Sequence, residues 1–429
     1  MGVNIKVKHG EEELDLEVDP EDGVEILKIQ LQSLTDVSPD KMRITGLGPA
    51  PLHDLSDLVQ LGLKEGALLT LTDAGSAPPA PPAAAAQAGI AAAAAAPPGG
   101  KISLQDLNKA LAAATNPAEA QRQRGMEDMQ RRVSGAVEHV LCYERADMQA
   151  QALAKIPVDT IRQRARDNPA GHGERDALAR ALMAWFKHEH FQWVNNAPCE
   201  HCGSGNTANQ GAQQATPAER AFWAGSAEIY KCSDCGGITR FPRYNHPGHL
   251  MEARRGRCGE WANAFTLCCV AMGFEARHVH DWTDHVWTEV WSEEKGRWVH
   301  MDPCENAWDT PLVYSEGWNK KLSYCIAFSK DQVVDVTPRY SRRFNECLSR
   351  RTQCPEAWLA EYLQTLRQAS LARVQPERRR VLEARWEAER RELVPRNIMD
   401  RGTSWESGIA LPGRQSGSAA WRAQRGEIG

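Results

Sequence analysis

Apolar and polar residues alternate in VNIKVK (3–8) and again in LDLEV (14–18), with His9 and Gly10 between them. A period of two broken by turn residues predicts a β-hairpin with one buried face. Val24, Leu27, Leu31 and Leu34 then recur at helical spacing. Two leucine-rich segments follow VSPDKMRI, and ALLTLT (67–72) reads as a closing strand. Residues 1–73 therefore predict strand, strand, helix, strand, strand. Residues 74–100, AGSAPPAPPAAAAQAGIAAAAAAPPGG, offer almost nothing for a core, and their Pro-Pro pairs break any long helix. They predict a flexible Ala/Pro-rich linker.

Helical periodicity returns over 101–195, in LQDLNKALAAA and in DALARALMAWFKHEHFQWV, which carries an aromatic stripe. Residues 196–240 are rich in polar and turn residues. Over 241–352 aromatic-rich alternating strands surround a helix that begins near Cys258. Residues 353–429 form a charged helical tail (ERRRVLEARWEAERREL) and a C-terminal segment. Its charges predict a solvated helix face laced with i,i+4 pairs. The class that results is α+β.

A chain of 429 residues suggests two or three domains, and 42% apolar with 25% charged residues describes a soluble globular protein. A net charge of -5 provides no general attraction for nucleic acid or anionic lipid. The N-terminus, MGVNIKVKHGEEELDLEVDP, has no apolar stretch of signal-peptide type. No segment approaches the roughly 18 uninterrupted apolar residues of a spanning helix. The expected location is the cytosol or the nucleus. There, twelve cysteines point to metal ligands, catalysts or small core residues in preference to disulfides.

Cys199 and Cys202 form one CxxC and Cys232 and Cys235 a second, in PCEHCGSG and KCSDCGG. Four thiolates in two knuckles predict a closed tetrahedral structural Zn2+ site with no open position for substrate. The competing readings are a redox CxxC pair and His201 in place of one cysteine.

In RRGRCGEWANAFTLCC (254–269), Trp261, Phe265, Cys268 and Met272 follow one helical face, and Gly273 is a natural stop. Cys258 therefore opens a helix, where the dipole and Arg254, Arg255 or Arg257 would favour the thiolate. Cys268 and Cys269, two turns on, read as core residues. A thiolate nucleophile needs a base and an orienting group. In DHVWTEVW, His285, Trp287, Glu289 and Trp291 share one strand face; in RWVHMDPCE, Trp298, His300 and Asp302 share another. Adjacent antiparallel strands would set His285 beside Asp302, predicting an acyl-transfer site in the order Cys, His, Asp. His278, His280 and His300 compete for the role of base.

The phrases EVDPEDGVEILK and VSPDKMRI resemble the ubiquitin-like β-grasp family, so residues 1–73 imply an interaction module; the chain runs on past Gly75 without a terminal Gly-Gly for conjugation. The phrases RFPRYN, RRGRCGEWANAFTLCC, DHVWTEVW, MDPCE and EGWNKKLSYCIAFSKDQVVDVTPRY resemble the cytoplasmic peptide:N-glycanase family, within the transglutaminase-like superfamily of papain-type cysteine catalysts. That likeness covers roughly residues 178–352, and GRQSGSAAWRAQRGE (413–427) resembles a segment that follows the core in animal members. The resemblance implies hydrolysis of the asparagine–GlcNAc amide of misfolded N-glycoproteins in ER-associated degradation, converting Asn to Asp. It implies Cys258 as nucleophile, His285 as base and acid, and Asp302 as the orienting group. Glu289, Glu305, Trp318 and Lys320 fall where the family holds the chitobiose core. Trp223, in RAFWAG, is the candidate oxyanion-side donor.

Tryptophan faces suit sugar C–H surfaces. Trp287 and Trp318 lean towards substrate, whereas Trp261, Trp291 and Trp298 read as packing. Animal family members carry a different N-terminal adaptor and a C-terminal sugar-binding domain, which leaves glycan affinity open here. The domain type of residues 1–73 implies a proteasome or ubiquitin-receptor partner. Two other classes remain: another transglutaminase-like acyl transfer, as in cross-linking or proteolysis, and a catalytically idle degradation scaffold.

Overall fold

In the computed structural model the described residues are most of 3–73, 117–396 except 171, and 411–428. The expected linker over 74–100, the LQDLNKALAAA helix and residues 397–410 lie outside them.

The N-terminal unit consists of β1 (Val3–His9), β2 (Glu12–Val18), the helix Val24–Thr35, β3 (Met42–Thr45) and β4 (Leu68–Asp73). The sheet order is β2-β1-β4-β3, with β1 and β4 parallel and the other pairs antiparallel. This is the β-grasp topology. The hairpin turns at Gly10, whose φ of +64° is the left-handed conformation glycine adopts freely. Ile5, Val7, Leu16, Leu69 and Leu71 point to one face and bury against Val24, Leu27 and Leu31. Alternation on the strands thus meets helical periodicity on the helix.

The second unit begins with the helices Pro117–Val140, Ala146–Leu153, Val158–Asp167 and Glu174–Trp185. A short β5 (Gln192–Trp193) leads to β6 (Thr207–Gln214), β7 (Ser226–Cys232) and β8 (Ile238–Pro242), which form one small sheet. After β9 (Arg255–Gly256), parallel to β5, the helix Cys258–Ala271 runs against an antiparallel sheet. That sheet contains β10 (Ala276–Asp281), β11 (His285–Ser292), β12 (Arg297–Asp302), β13 (Ala307–Trp308), β14 (Cys325–Phe328) and β15 (Val333–Asp335), in the order β13-β12-β11-β10-β14-β15. The Cys258 helix is buried on every side from Glu260 to Cys269, which explains why its apolar positions are not confined to one stripe. Among the described residues no helix is long and apolar enough to cross a membrane.

Residues 117–195 do not form a separate helical layer. Met129, Val133, Met148, Leu182 and Phe186 share one core with Trp261, Phe265, Cys268 and Val290, and with Leu359 and Leu363 of the later helix Glu356–Leu371. The tail also differs from a wholly solvated helix. Within Pro376–Glu392 the exposed i,i+4 pairs Arg379–Glu383 (3.8 Å) and Arg391–Glu387 (3.6 Å) fit the expectation. However, Arg385 pairs with Glu275 at 2.9 Å, and Glu389 is 3% exposed. The charges on one face dock this helix onto the sheet.

Candidate active site

The helix opens at Cys258 because its first turn is built to start there. Glu260 accepts a hydrogen bond from the Arg257 backbone N–H at 2.9 Å, satisfying one of the amides that a helix start leaves free. Glu260 also pairs with Arg243 at 2.7 Å. Gly256 makes room for this carboxylate side chain, since a Cβ there would lie 2.4 Å from Glu260 Cβ. Cys258 is half-buried, with its thiol at the positive end of the helix.

β11 and β12 pair antiparallel, and His285 Nε2 bonds Asp302 Oδ2 at 2.7 Å with both side chains fully buried. Nδ1 has no other hydrogen-bond partner and is the nitrogen left for the Cys258 thiol. Burial alone would raise the thiol pKa, but the hydrogen bond and charge of His285, followed by the charge of Arg414, bring it below the ordinary value. Burial would lower the imidazole, yet the charge and hydrogen bond of Asp302, then Cys258, carry it upward. Burial would likewise raise Asp302, and the charge and hydrogen bond of His285 hold it well below the usual carboxylate range. Each shift favours a thiolate–imidazolium pair, the state suited to nucleophilic acyl transfer.

The competing histidines are differently placed. His280 Nε2 faces His278 Nδ1 at 3.1 Å, and burial keeps both neutral, His280 down to about 3. His300, lowered to about 4 chiefly by burial, bonds the Tyr314 hydroxyl at 2.7 Å. Tyr314 in turn donates to Asp302 Oδ2 at 2.9 Å. This fourth member was not expected; it lies in an irregular turn twelve residues beyond Asp302, where no periodicity marks it.

The arginines expected to favour the thiolate are engaged elsewhere. Arg254 donates to the His190 and Glu189 carbonyls at 2.8 and 2.9 Å. Arg257 donates to Glu228 at 2.7 Å and to the Val194 carbonyl at 3.0 Å. Arg255 lies 3.8 Å from Glu200. Trp223, expected as an oxyanion-side donor, has an exposed ring that touches two histidines. Its ring packs on His246 at 4.6 Å and on His139 at 6.2 Å, and His139 in turn bonds Asn263 at 3.0 Å.

Two of the residues expected to meet sugar, Trp287 and Glu289, are turned into the fold instead. Trp287 has no exposed surface and stacks on Tyr314 at 4.3 Å. Glu289 is the centre of a buried charge network. It pairs with Arg277, with Arg339 at 2.8 Å and with the Tyr340 hydroxyl at 2.6 Å, and Glu389 bonds the same two arginines at 2.6 and 2.8 Å. The shared strand face does bury Trp287 and Glu289 behind His285, but it turns them into the fold. Trp318 is buried 5.0 Å from the His285 ring. Lys320 pairs with Asp281 at 3.0 Å and lies 3.7 Å from Glu427. Glu305 accepts the backbone N–H groups of Gln415 and Ser416 at 2.7 and 2.9 Å. The last three therefore border the site but face the chain's own C-terminal segment.

Glu289→Ala is expected to unfold the protein more easily, and not merely to weaken substrate binding, because it strands buried guanidinium groups. The loss should be about 3–5 kcal/mol in urea titration. Burial would raise Glu289, but Arg277 and Arg339 lower it from an ordinary 4.5 to about 2. Its contribution is therefore complete above pH 4.5 and fades as pH falls towards 2. An unchanged midpoint with a raised KM would instead place Glu289 at a sugar.

Away from Cys258 and His285, the sulfurs of Cys199, Cys202, Cys232 and Cys235 all lie within 4.8 Å of one another. Two of the separations are 3.5 Å (Cys199 to Cys235) and 3.6 Å (Cys202 to Cys232). Bonds of about 2.3 Å from a tetrahedral zinc to sulfur give edges of about 3.8 Å, so the four thiols fit a metal ion. The Gly237 N–H approaches Cys235 Sγ at 3.4 Å, as a knuckle amide does. His201 is not part of this cluster.

A cysteine-histidine-aspartate constellation across a helix start and an antiparallel sheet defines a transglutaminase-like protein, and the Transglutaminase-like superfamily model matches residues 206–303. The Rad4 transglutaminase-like domain matches residues 278–393. The Peptide-N(4)-(N-acetyl-beta-glucosaminyl)asparagine amidase of Oryza sativa subsp. japonica is 39% identical over 423 residues, covering 96% of this chain and 91% of that protein. The chain therefore belongs to the peptide-N(4)-(N-acetyl-beta-glucosaminyl)asparagine amidase family. The Gallus gallus protein of that name is 45% identical over 306 residues, 68% of this chain and 45% of the relative. The chain thus matches less than half the length of that relative. Among solved structures, Caldiarchaeum Subterraneum Ubiquitin is 29% identical, covering 17% of this chain and 94% of its own, with a TM-score of 0.16.

Proposed function

We propose that this protein is an amidase that removes N-linked glycans from misfolded glycoproteins by cleaving the asparagine–GlcNAc bond. The observation that carries the reading is Cys258 at a helix start with His285 held to Asp302, in a chain of the amidase family. The Cys258 thiolate attacks the asparagine side-chain carbonyl. Imidazolium His285 donates its proton to the departing glycosylamine nitrogen, and the C–N bond breaks to leave a thioester. Water enters, neutral His285 takes its proton, and hydroxide displaces the sulfur to give aspartate and regenerate the thiolate. Asp302 keeps the ring oriented throughout and offsets its positive charge.

Zinc is the ion proposed for the four cysteines; with every coordination position taken by sulfur it would supply structure and no chemistry. Residues 1–73 are proposed to recruit the enzyme to the proteasome or a ubiquitin receptor in ER-associated degradation in the cytosol. The support is the β-grasp topology. The full chain should retain proteasome subunits in a pull-down, and deletion of residues 1–73 should abolish retention.

The reaction is tested on a heat-denatured high-mannose glycoprotein, followed by gel shift and by mass spectrometry of the former glycosylation site. Asn-to-Asp conversion is expected. Folded, metal-loaded protein that leaves the glycan in place would overturn the reading. Within the same assay, Tyr314→Phe removes a hydrogen bond to the orienting carboxylate. It should reduce kcat/KM by about tenfold, with a displaced pH profile and little change in KM.

A further inference from the structure

The segment 411–428 has no role in the chemistry described so far, yet it is seated against the catalytic residues by several independent contacts. At Gly317 an added Cβ would meet the Pro412 carbonyl oxygen at 2.4 Å and that of Val313 at 2.6 Å. Only glycine lets the segment come so close. Glu305, three residues beyond Asp302, accepts two of its backbone N–H groups, and Arg425 pairs with Asp284, the neighbour of His285, at 2.9 Å.

Between these anchors the Arg414 side chain has no exposed surface. Its guanidinium lies 4.7 Å from the Trp318 ring, which packs against His285, and 4.5 Å from the Trp421 ring. Nε donates to Ser416 at 3.1 Å and Nη1 to Glu427 at 2.7 Å. Nη2 is buried with no hydrogen-bond partner. Burying guanidinium N–H groups without an acceptor is costly. They are stable there if an anion close by, or one formed during reaction, compensates them. The Cys258 sulfur can be such an anion, since Arg414 and Cys258 each favour the charged form of the other.

We propose that Arg414 is a second cation, beside imidazolium His285, that favours the ionised Cys258 sulfur, and that residues 411–428 are a working part of the catalytic site. Arg414 is a positioning residue, acting through the thiolate. It takes the place expected of Arg254, Arg255 and Arg257, whose guanidinium groups are committed elsewhere. The charged and titratable groups acting on the sulfur are His285, Arg414, Asp284 and Cys304, with Asp302 behind His285, Glu427 behind Arg414 and Glu305 beside Cys304. Lys187 lies beyond Cys304, donating to its carbonyl at 2.5 Å.

The inference rests on Cys258 as the nucleophile. Its test reads the thiolate directly and requires no glycan, so a failed deglycosylation would leave it standing. Iodoacetamide labelling of Cys258 in the full chain would be followed against pH by peptide mass spectrometry, with folding checked by circular dichroism. Arg414→Gln is expected to move the labelling midpoint upward by about one pH unit, slowing labelling about tenfold below it. Arg414→Lys should stay near the wild-type midpoint. Glu427→Gln removes an opposing anion while keeping an acceptor for Arg414, and should move the midpoint downward. Shifts of opposite sign in the two glutamine variants support the proposal. Shifts of the same sign, or none in folded protein, overturn it. Should Arg414→Gln fail to fold, the sign of the Glu427→Gln shift decides alone.

Discussion

Cys258→Ala should abolish conversion of glycosylated asparagine to aspartate, with kcat/KM falling about 10^4-fold or more. The protein should remain folded, because residue 258 is only half-buried and the helix start depends on Glu260 and Gly256, not on sulfur. His285→Ala should lose nearly as much, and the double variant little more than either, since residues acting as one unit are not additive. The measurement is mass spectrometry of the former glycosylation site with circular dichroism alongside. Residual turnover above about a tenth of wild type would remove Cys258 from the role of nucleophile.

Removal of metal is expected to have the second largest effect. Structural zinc binding in small modules is worth on the order of 10 kcal/mol, and here it would cross-link the 199–202 loop to the turn between β7 and β8. Incubation with a strong chelator, or Cys232→Ser, should therefore lower the melting temperature and destroy activity together. Re-addition of Zn2+ should restore both in the wild type. The consequence reaches the Cys258 helix because Arg257, its N-cap residue, is tied to Glu228 and Tyr230 of β7 at 2.7 and 2.9 Å. A chelated protein with the same melting temperature and full activity would exclude a structural metal.

Features encoded by local chemistry were legible before any coordinates. The β-grasp order followed from alternation and a helical repeat, since a half-buried sheet and a packed helix impose those periods directly. The paired CxxC motifs announced their cluster because a knuckle is a property of four neighbouring residues. Cys258 at a helix start and the strands bearing His285 and Asp302 were also readable, as helix signals and strand parity are local.

Other features depended on distant partners. Parity placed Glu289 on the His285 face, but only the folded chain brought Arg339 and Glu389 to it and made it a buried counter-charge. Aromatic character left Trp287 open to either role until Tyr314 stacked on it. Tyr314 itself sits in a turn with no period, and its meaning comes from the Asp302 oxygen it reaches. The three arginines beside Cys258 were near in sequence, yet backbone carbonyls and carboxylates from other elements claimed them.

The sequence by itself determined the element order, the cluster of four thiols and the placing of Cys258 at a helix start with His285 and Asp302 on adjacent strands, because each is specified by short-range spacing. Tertiary structure alone decided which charges surround them. Electrostatic interaction depends on distance through space and on burial, and folding brings Arg414 to Cys258 from far along the chain while turning nearer arginines away.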